Sequence, residues 1–244
     1  MRNTRIYTDA PLAVSARAVL PREASHHLLR VLRCRRGDGI TLFNGRGGSY
    51  TGKVISVSPA LVEVEISDFT PDASAPPLFI TLALGISRGL HMDYALQKSV
   101  ELGVSAIVPL FTGRCNVKLD NKRMETRMEH WRKIMIHACE QSGRNSLPDL
   151  LAPRSLDEWV NSDVNAARLL LAPAAGQTLG EITRVNIREI SVLAGPEGGL
   201  TDAEQSTAAE RGYIPVRLGP RTLRTETAAV AAVTALQVLW GDLR

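Results

Sequence analysis

Two short loops hold the residues of this chain whose types and spacing suit chemistry. The first is Gly195-Pro196-Glu197-Gly198-Gly199-Leu200, and the second is Leu218-Gly219-Pro220-Arg221-Thr222-Leu223-Arg224-Thr225-Glu226-Thr227-Ala228. Glycines let a backbone approach a ligand closely and adopt positive φ, a freedom expected of Gly198 in particular. Prolines stiffen the same loops. Guanidinium groups fixed on such a loop stabilise negative charge as it develops on a reacting group. Arg224 is the first candidate for that role, with Arg221 and Arg88 behind it. Glu197 and Glu226 are candidate proton acceptors. Blander readings stay open for each. Gly195–Gly199 could be a tight turn only, an arginine could grip a phosphate or flank a helix, and Glu226 in a first helical turn complements the helix dipole.

The flanking sequence says what positions these loops. Each follows a short β-like run, at 190–194 and 214–218, and each precedes a helix pattern. Thr201-Asp202-Ala203-Glu204 has the spacing of a capping box, so a helix starts directly after the first loop. Two consecutive strand–loop–helix units put both loops at the carboxyl ends of parallel strands, the edge where open α/β sheets bind ligands. Upstream, strands are expected at 79–84, 104–109 and 168–172. Helices are expected at 92–102, closed by Gly103, and at 123–141, with 142–155 as loop. Strands alternating with helices imply a parallel sheet.

The amino-terminal part reads differently. Residues 1–68 are mostly β-like, with glycine turn clusters at 36–39 and 44–48 and a clean alternation at 61–66. One helix is expected over 21–33, started by proline. Short strands with glycine turns suggest a small barrel. The Pro/Ser/Ala-rich stretch at 69–77 is the expected boundary, giving a module over 1–70, a linker over 71–77 and a second domain over 78–244.

Composition narrows the function classes. The chain has 244 residues and a net charge of +4. Residues 1–70 hold ten Lys+Arg against six Asp+Glu, whereas the remainder holds 19 of each. The basic surplus is therefore amino-terminal and mostly arginine, whose planar forks suit phosphates and bases. A merely solvated basic face is the alternative. Arg2, Arg5, Arg22, Arg30, Arg33 and Arg36 are the candidate RNA contacts of this segment. No apolar run reaches the roughly 18 residues of a spanning helix, and no secretory leader is visible, so a cytoplasmic protein is expected. The three cysteines, Cys34, Cys115 and Cys139, lack metal-ligand spacing and read as free thiols. A Cys139 thiolate beside Glu140 is the weaker alternative. His26 and His27 are adjacent and so point in different directions on a helix, and His91, His130 and His137 are scattered, so no metal is expected.

GPEGGL followed by LGPRTLRTETA resembles the last two motifs of the SPOUT class of knotted RNA methyltransferases. Ile86-Ser87-Arg88-Gly89, Gln97-Lys98-Ser99-Val100-Glu101-Leu102-Gly103-Val104 and Ala138-Cys139-Glu140-Gln141-Ser142-Gly143-Arg144-Asn145 fit as well. Together they resemble the bacterial enzymes that methylate N3 of a uridine in 16S ribosomal RNA. The resemblance implies an α/β parallel-sheet SPOUT domain with a trefoil knot, preceded by a PUA-like RNA-binding barrel. It implies S-adenosylmethionine as cofactor, held largely by the backbone of loops at 171–176, 195–199 and 218–225. The residues concerned are Leu171, Pro173, Gly195, Pro196, Glu197, Gly198, Gly199, Leu218, Gly219, Leu223 and Thr225. Arg144 and Asn145 could reach the RNA, or Arg144 could simply pair with Glu140. A homodimer acting on 16S rRNA within the small ribosomal subunit completes the expectation. Competing readings are a non-catalytic RNA-binding protein, a SPOUT methyltransferase with another RNA target, and an α/β enzyme holding a phosphorylated small molecule.

Overall fold

The computed structural model describes residues 4–58, 61–72, 76–115, 121–162, 166–182 and 187–243. The chain forms two compact units. One comprises Met1–Ala75 with Ile136–Leu147, and the other Pro76–Met135 with Pro148–Arg244.

The first unit is built on a five-stranded sheet of order β1-β3-β4-β5-β2. Its strands are β1 (Thr4–Tyr7), β2 (Arg17–Val19), β3 (Gly39–Phe43), β4 (Ser49–Val57) and β5 (Val62–Thr70). All pairings are antiparallel except β1 with β3. Alternation sends Val62, Val64 and Ile66 inward, where they meet Ile6, Ala18, Ile40, Leu42 and Val54 in one core to which every strand contributes. β5 runs through Thr70, two residues into the Pro/Ser/Ala-rich stretch at 69–77.

Pro21 precedes α1 (Arg22–His26), as expected. The helix then widens into a π-helical segment over His27–Val31, with the Leu32 amide reaching back to the His27 carbonyl. Arg33 at φ 53 ends it, so the expected single helix over 21–33 is an α turn plus a π turn. Leu28 plugs the core from this segment, while Val31 and Leu32 stay exposed.

The second unit holds a seven-stranded sheet of order β12-β10-β11-β6-β7-β8, with β9 also pairing β7. The strands are β6 (Phe79–Gly85), β7 (Ala106–Phe111), β8 (Asp149–Leu150), β9 (Arg154–Ser155), β10 (Ala167–Leu171), β11 (Glu189–Ala194) and β12 (Ile214–Val216). Every pairing is parallel. The segment over 142–155, expected as loop, thus contributes two short strands, and β12 is shorter than the run that foretold it. The central strands are nearly continuous in apolar residues because both faces are covered. Ala83, Val108, Leu110, Leu170 and Leu193 pack with Leu156, Trp159, Ala208 and Tyr213 of α4 (Leu156–Val160), α5 (Asp202–Glu210) and the turn after α5. Alternation turns Leu82, Leu84 and Val192 to the opposite face, where α6 (Thr225–Trp240) packs on β6, β11 and α2 (Leu90–Glu101). Gly103 at φ 91 closes α2 in the conformation that favours glycine. The remaining helix, α3 (Asn121–Ser142), belongs to this unit through Met135, with Trp131 and Met135 buried, and to the first unit from Ile136, with Ala138 buried.

Candidate active site

Parallel strands deliver all their following loops to one edge. Beyond β10, β11 and β12 these loops enclose a cavity of about 680 Å³. That is the size of a pocket for a cofactor-sized molecule. Leu171 and Pro173 line it from the β10 loop, Gly195 to Leu200 from the β11 loop, and Leu218, Leu223 and Thr225 from the β12 loop. Of the residues expected to bind a cofactor, only Gly219 is not on the wall. It stands at φ 78, the left-handed conformation that favours glycine.

Close backbone packing shapes the floor. Gly85 ends β6 beside the Gly195 loop, and a Cβ there would lie 2.5 Å from both the nitrogen and Cδ of Pro196. A Cβ on Gly195 would lie 3.0 Å from the Gly199 carbonyl carbon and the Leu200 nitrogen. These glycines are required because no side chain fits between the turns. The expectation for Gly198 needs correction. Its φ is not positive; Gly199 carries the left-handed conformation, at φ 68. Gly198 is constrained instead by Arg114, whose Cβ would lie 3.1 Å from an added Cβ. The turn puts the left-handed residue at its end, one position later than the motif alone suggested.

The loop is clamped from two sides. Arg114 Nη1 donates to the carbonyls of Gly198 at 3.0 Å and Leu200 at 3.2 Å. The Arg88 amide donates to Glu197 Oε1 at 2.8 Å. The capping box forms as expected: Thr201 Oγ1 accepts from the Glu204 amide at 3.2 Å, and Glu204 Oε2 accepts from the Thr201 amide at 2.7 Å. Glu204 Oε1 also accepts from the Gly113 amide at 2.7 Å, tying the segment after β7 to the start of α5.

Arg221, Arg224 and Glu197 line the cavity with exposed side chains. Arg224 is the N-cap residue of α6, so its guanidinium sits beside the positive end of a 16-residue helix. Arg88 enters through its backbone, and its side chain is not on the wall. Glu226 Oε1 meets His91 Nδ1 at 2.9 Å. Burial works against ionisation of Glu226, but hydrogen bonds from its own amide and from His91, with the charges of His91 and Arg224, outweigh it. They hold the carboxyl below its ordinary range. His91, Arg114, Gln205 and Arg217 line the cavity without having been singled out in the sequence. The loop after the strand at 104–109 could have been placed at this edge by the same parallel-strand argument, and Arg114 with it. His91 carries no such signal.

The candidate RNA contacts fall in the first unit. Arg22, Arg30, Arg33 and Arg36 are exposed, and Arg2 lies outside the described residues. Arg5 and Asn145 are engaged with each other. Arg5 Nη2 donates to Asn145 Oδ1 at 2.5 Å and stacks its guanidinium 5.3 Å from the Phe43 ring, while Asn145 Nδ2 donates to Asp72 Oδ1 at 2.6 Å. Arg5 Nη2 also reaches the Arg144 carbonyl at 3.5 Å. Glu140 accepts from the Tyr7 amide at 3.0 Å and meets His137 Nδ1 at 3.0 Å. Burial pushes the Cys139 thiol up to about 11, with Arg144 and Arg5 pulling the other way and Glu140 adding to the rise. A neutral thiol is no nucleophile. Among the described residues no cluster of His, Cys, Asp or Glu could hold a metal ion, and no helix is long and apolar enough to cross a membrane.

Residues 74–237 match an RNA methyltransferase domain, and residues 20–67 match an RNA methyltransferase PUA domain. Over 243 residues the chain is 34% identical to the ribosomal RNA small subunit methyltransferase E of Buchnera aphidicola subsp. Schizaphis graminum, spanning 99% of this chain and 98% of that protein. The chain belongs to the ribosomal RNA small subunit methyltransferase E family. Another member, from Neisseria gonorrhoeae, was solved bound to S-adenosyl methionine; it is 40% identical, spans 100% of both chains and superposes with a TM-score of 0.92. A putative methyltransferase from Legionella pneumophila, solved in complex with the cofactor SAM, is also 40% identical over 100% of both chains, with a TM-score of 0.95. The expected architecture, a parallel-sheet α/β SPOUT domain behind a PUA-like module, is the architecture of the family.

Proposed function

We propose that this protein transfers the methyl group of S-adenosylmethionine to N3 of a uridine in 16S ribosomal RNA, within the small ribosomal subunit. The observation that carries this reading is the cavity itself. Its walls are backbone loops too closely packed for side chains at Gly85 and Gly195, and its rim carries Arg221 and Arg224. Such walls fit a flat base and a sugar recognised through backbone amides and carbonyls, while the half-buried Leu171, Leu218 and Leu223 supply apolar surface for the adenine. When bound, S-adenosylmethionine supplies an electrophilic methyl group on a sulfonium.

The protein's own residues then have two tasks. The first is placement, since holding reactants in line replaces a bimolecular encounter with a local one. The second is charge. Uridine N3 bears a proton that must leave before or during transfer, and the charge spreads to the ring carbonyl oxygens. Arg224, fixed at the start of α6, faces that charge, with Arg221 beside it. Glu197 and Glu226 are the carboxylates on the cavity wall that could take the proton. Arg88 acts by holding Glu197 through its amide.

The module over residues 1–70 binds the RNA through exposed Arg22, Arg30, Arg33 and Arg36, and the linker over 71–77 joins it to the methyltransferase domain over 78–244. Arg144 and Asn145 lie close to that module's β1, which supports a role at its edge. The same reading gives the carboxyl-terminal segment a trefoil knot, the protein a homodimeric state and the cell's cytoplasm as its place.

The test is transfer from methyl-labelled S-adenosylmethionine to small ribosomal subunits purified from cells lacking the enzyme. One methyl per 16S rRNA, on a uridine N3, is expected. Label on another base, or none on any RNA offered, would refute the reading.

A further inference from the structure

Four arginines line the cavity: Arg114, Arg217, Arg221 and Arg224. A sulfonium cofactor carries positive charge at the reacting centre and at its ammonium, so one group alone calls for a cation: the carboxylate at its amino-acid end. Arg217 is taken up by the β10 loop, where its charge already acts on the Glu181 carboxylate and its Nη1 donates to the carbonyls of Ala175 at 2.8 Å and Gly176 at 2.5 Å. Arg221 and Arg224 belong to the loop read above as facing the uridine.

Arg114 is different in origin. It comes from the segment after β7, which the Gly113–Glu204 hydrogen bond holds in place. One nitrogen, Nη1, makes both of its bonds, to the carbonyls of Gly198 and Leu200. The guanidinium is therefore fixed against the cavity wall with its remaining donors, on Nη2 and Nε, unpartnered among the described residues. A guanidinium has five N–H donors in a rigid fork, and two parallel donors match the two oxygens of a carboxylate. A lysine there could not hold the loop and receive the anion together.

We propose that Arg114 is the receptor for the carboxylate of S-adenosylmethionine, a specificity-determining residue that reads the amino-acid end of the cofactor while bracing the Gly195–Gly199 loop. This rests on the cofactor reading above.

The experiment is a binding cycle by calorimetry with the full-length protein. Wild type and Arg114→Ala are each titrated with S-adenosylmethionine and with its decarboxylated form, which keeps the adenosine, sulfonium and amine and lacks only the carboxylate. Wild type should prefer S-adenosylmethionine by about 10- to 100-fold, the usual worth of a hydrogen-bonded charged group. Arg114→Ala should bind the two within about threefold of each other, because a cycle isolates the pairwise contact from general loosening of the loop. If Arg114→Ala weakens both ligands equally and keeps the wild-type preference, Arg114 is a loop brace only and the proposal fails. Should that variant not fold, the wild-type comparison decides: equal affinity for the two compounds overturns the proposal. A wild type that binds neither compound overturns the cofactor reading as well.

Discussion

Gly85→Ala is the smallest change that should reach the cofactor loop from outside it. Gly85 is the last residue of β6, and its hydrogen atom faces the Gly195-Pro196 peptide. The added Cβ would lie 2.5 Å from the Pro196 nitrogen, 2.5 Å from its Cδ and 2.9 Å from the Gly195 carbonyl carbon. None of these atoms is the end of a flexible side chain. Ordinary contact begins at 3.4 Å, so strand or loop must move by about 1 Å. Overpacking of this kind costs about 1–3 kcal/mol. For a unit of this size the melting temperature should drop by about 2–12 °C. The displaced loop is the cavity wall, so affinity for S-adenosylmethionine should fall on the order of 10- to 100-fold, the equivalent of about 1.4–2.8 kcal/mol of lost contact. Gly180→Ala is the control. Nothing lies within 4 Å of its added Cβ and its φ is ordinary, so stability should stay within about 0.5 kcal/mol. Thermal melts and calorimetric titration of both variants decide the matter. Wild-type melting and wild-type affinity in Gly85→Ala would refute the claim that backbone contact between β6 and the β11 loop shapes the site.

Arg224→Ala should lower the single-turnover transfer rate by roughly 10²–10³ at saturating RNA and cofactor, with a much smaller loss in cofactor affinity; a defect that disappears at saturating RNA would mean a phosphate grip instead. Cys139, with its thiol pushed up to about 11, should resist a thiol reagent at pH 8 in the folded protein and react on unfolding, as measured by site-resolved mass spectrometry; prompt native labelling would contradict the burial that raises it. Glu226 has a folded-state pKa below its ordinary value of 4.5, so its ionised form stabilises the fold above pH 4.5 and that contribution is lost as pH falls through the lower, folded value. Denaturant melts of wild type and Glu226→Gln should therefore converge below that window, and a stability gap that does not narrow with acid would refute the assignment.

Much of the second unit was legible because its signals are local. The apolar runs at 79–84, 104–109 and 190–194 became β6, β7 and β11, the central strands. The Thr201 capping box and the Gly103 helix end formed as their side-chain chemistry requires. The two glycine loops could be brought to one edge from sequence alone, since parallel strands allow no other arrangement. What escaped the sequence depends on distant partners. His91 and Glu226 are 135 positions apart, Arg5 and Asn145 140, and Arg114 reaches Gly198 across 84. No periodicity encodes such meetings. The φ of Gly198 was misjudged for a related reason: in a run of glycines, the surrounding turn decides which one is left-handed. The π turn at His27–Val31 was invisible because its apolar pattern also suits an α-helix.

In the proposed function, this cavity and its arginines place one methyl on N3 of a 16S rRNA uridine. Methylation at N3 blocks the Watson–Crick edge and halts reverse transcriptase, so primer extension maps it directly. Cells carrying the gene should show one strong stop in 16S rRNA, absent on deletion and restored by the wild-type gene but not by Arg224→Ala. An unchanged 16S pattern on deletion, or full restoration by Arg224→Ala, would contradict the account.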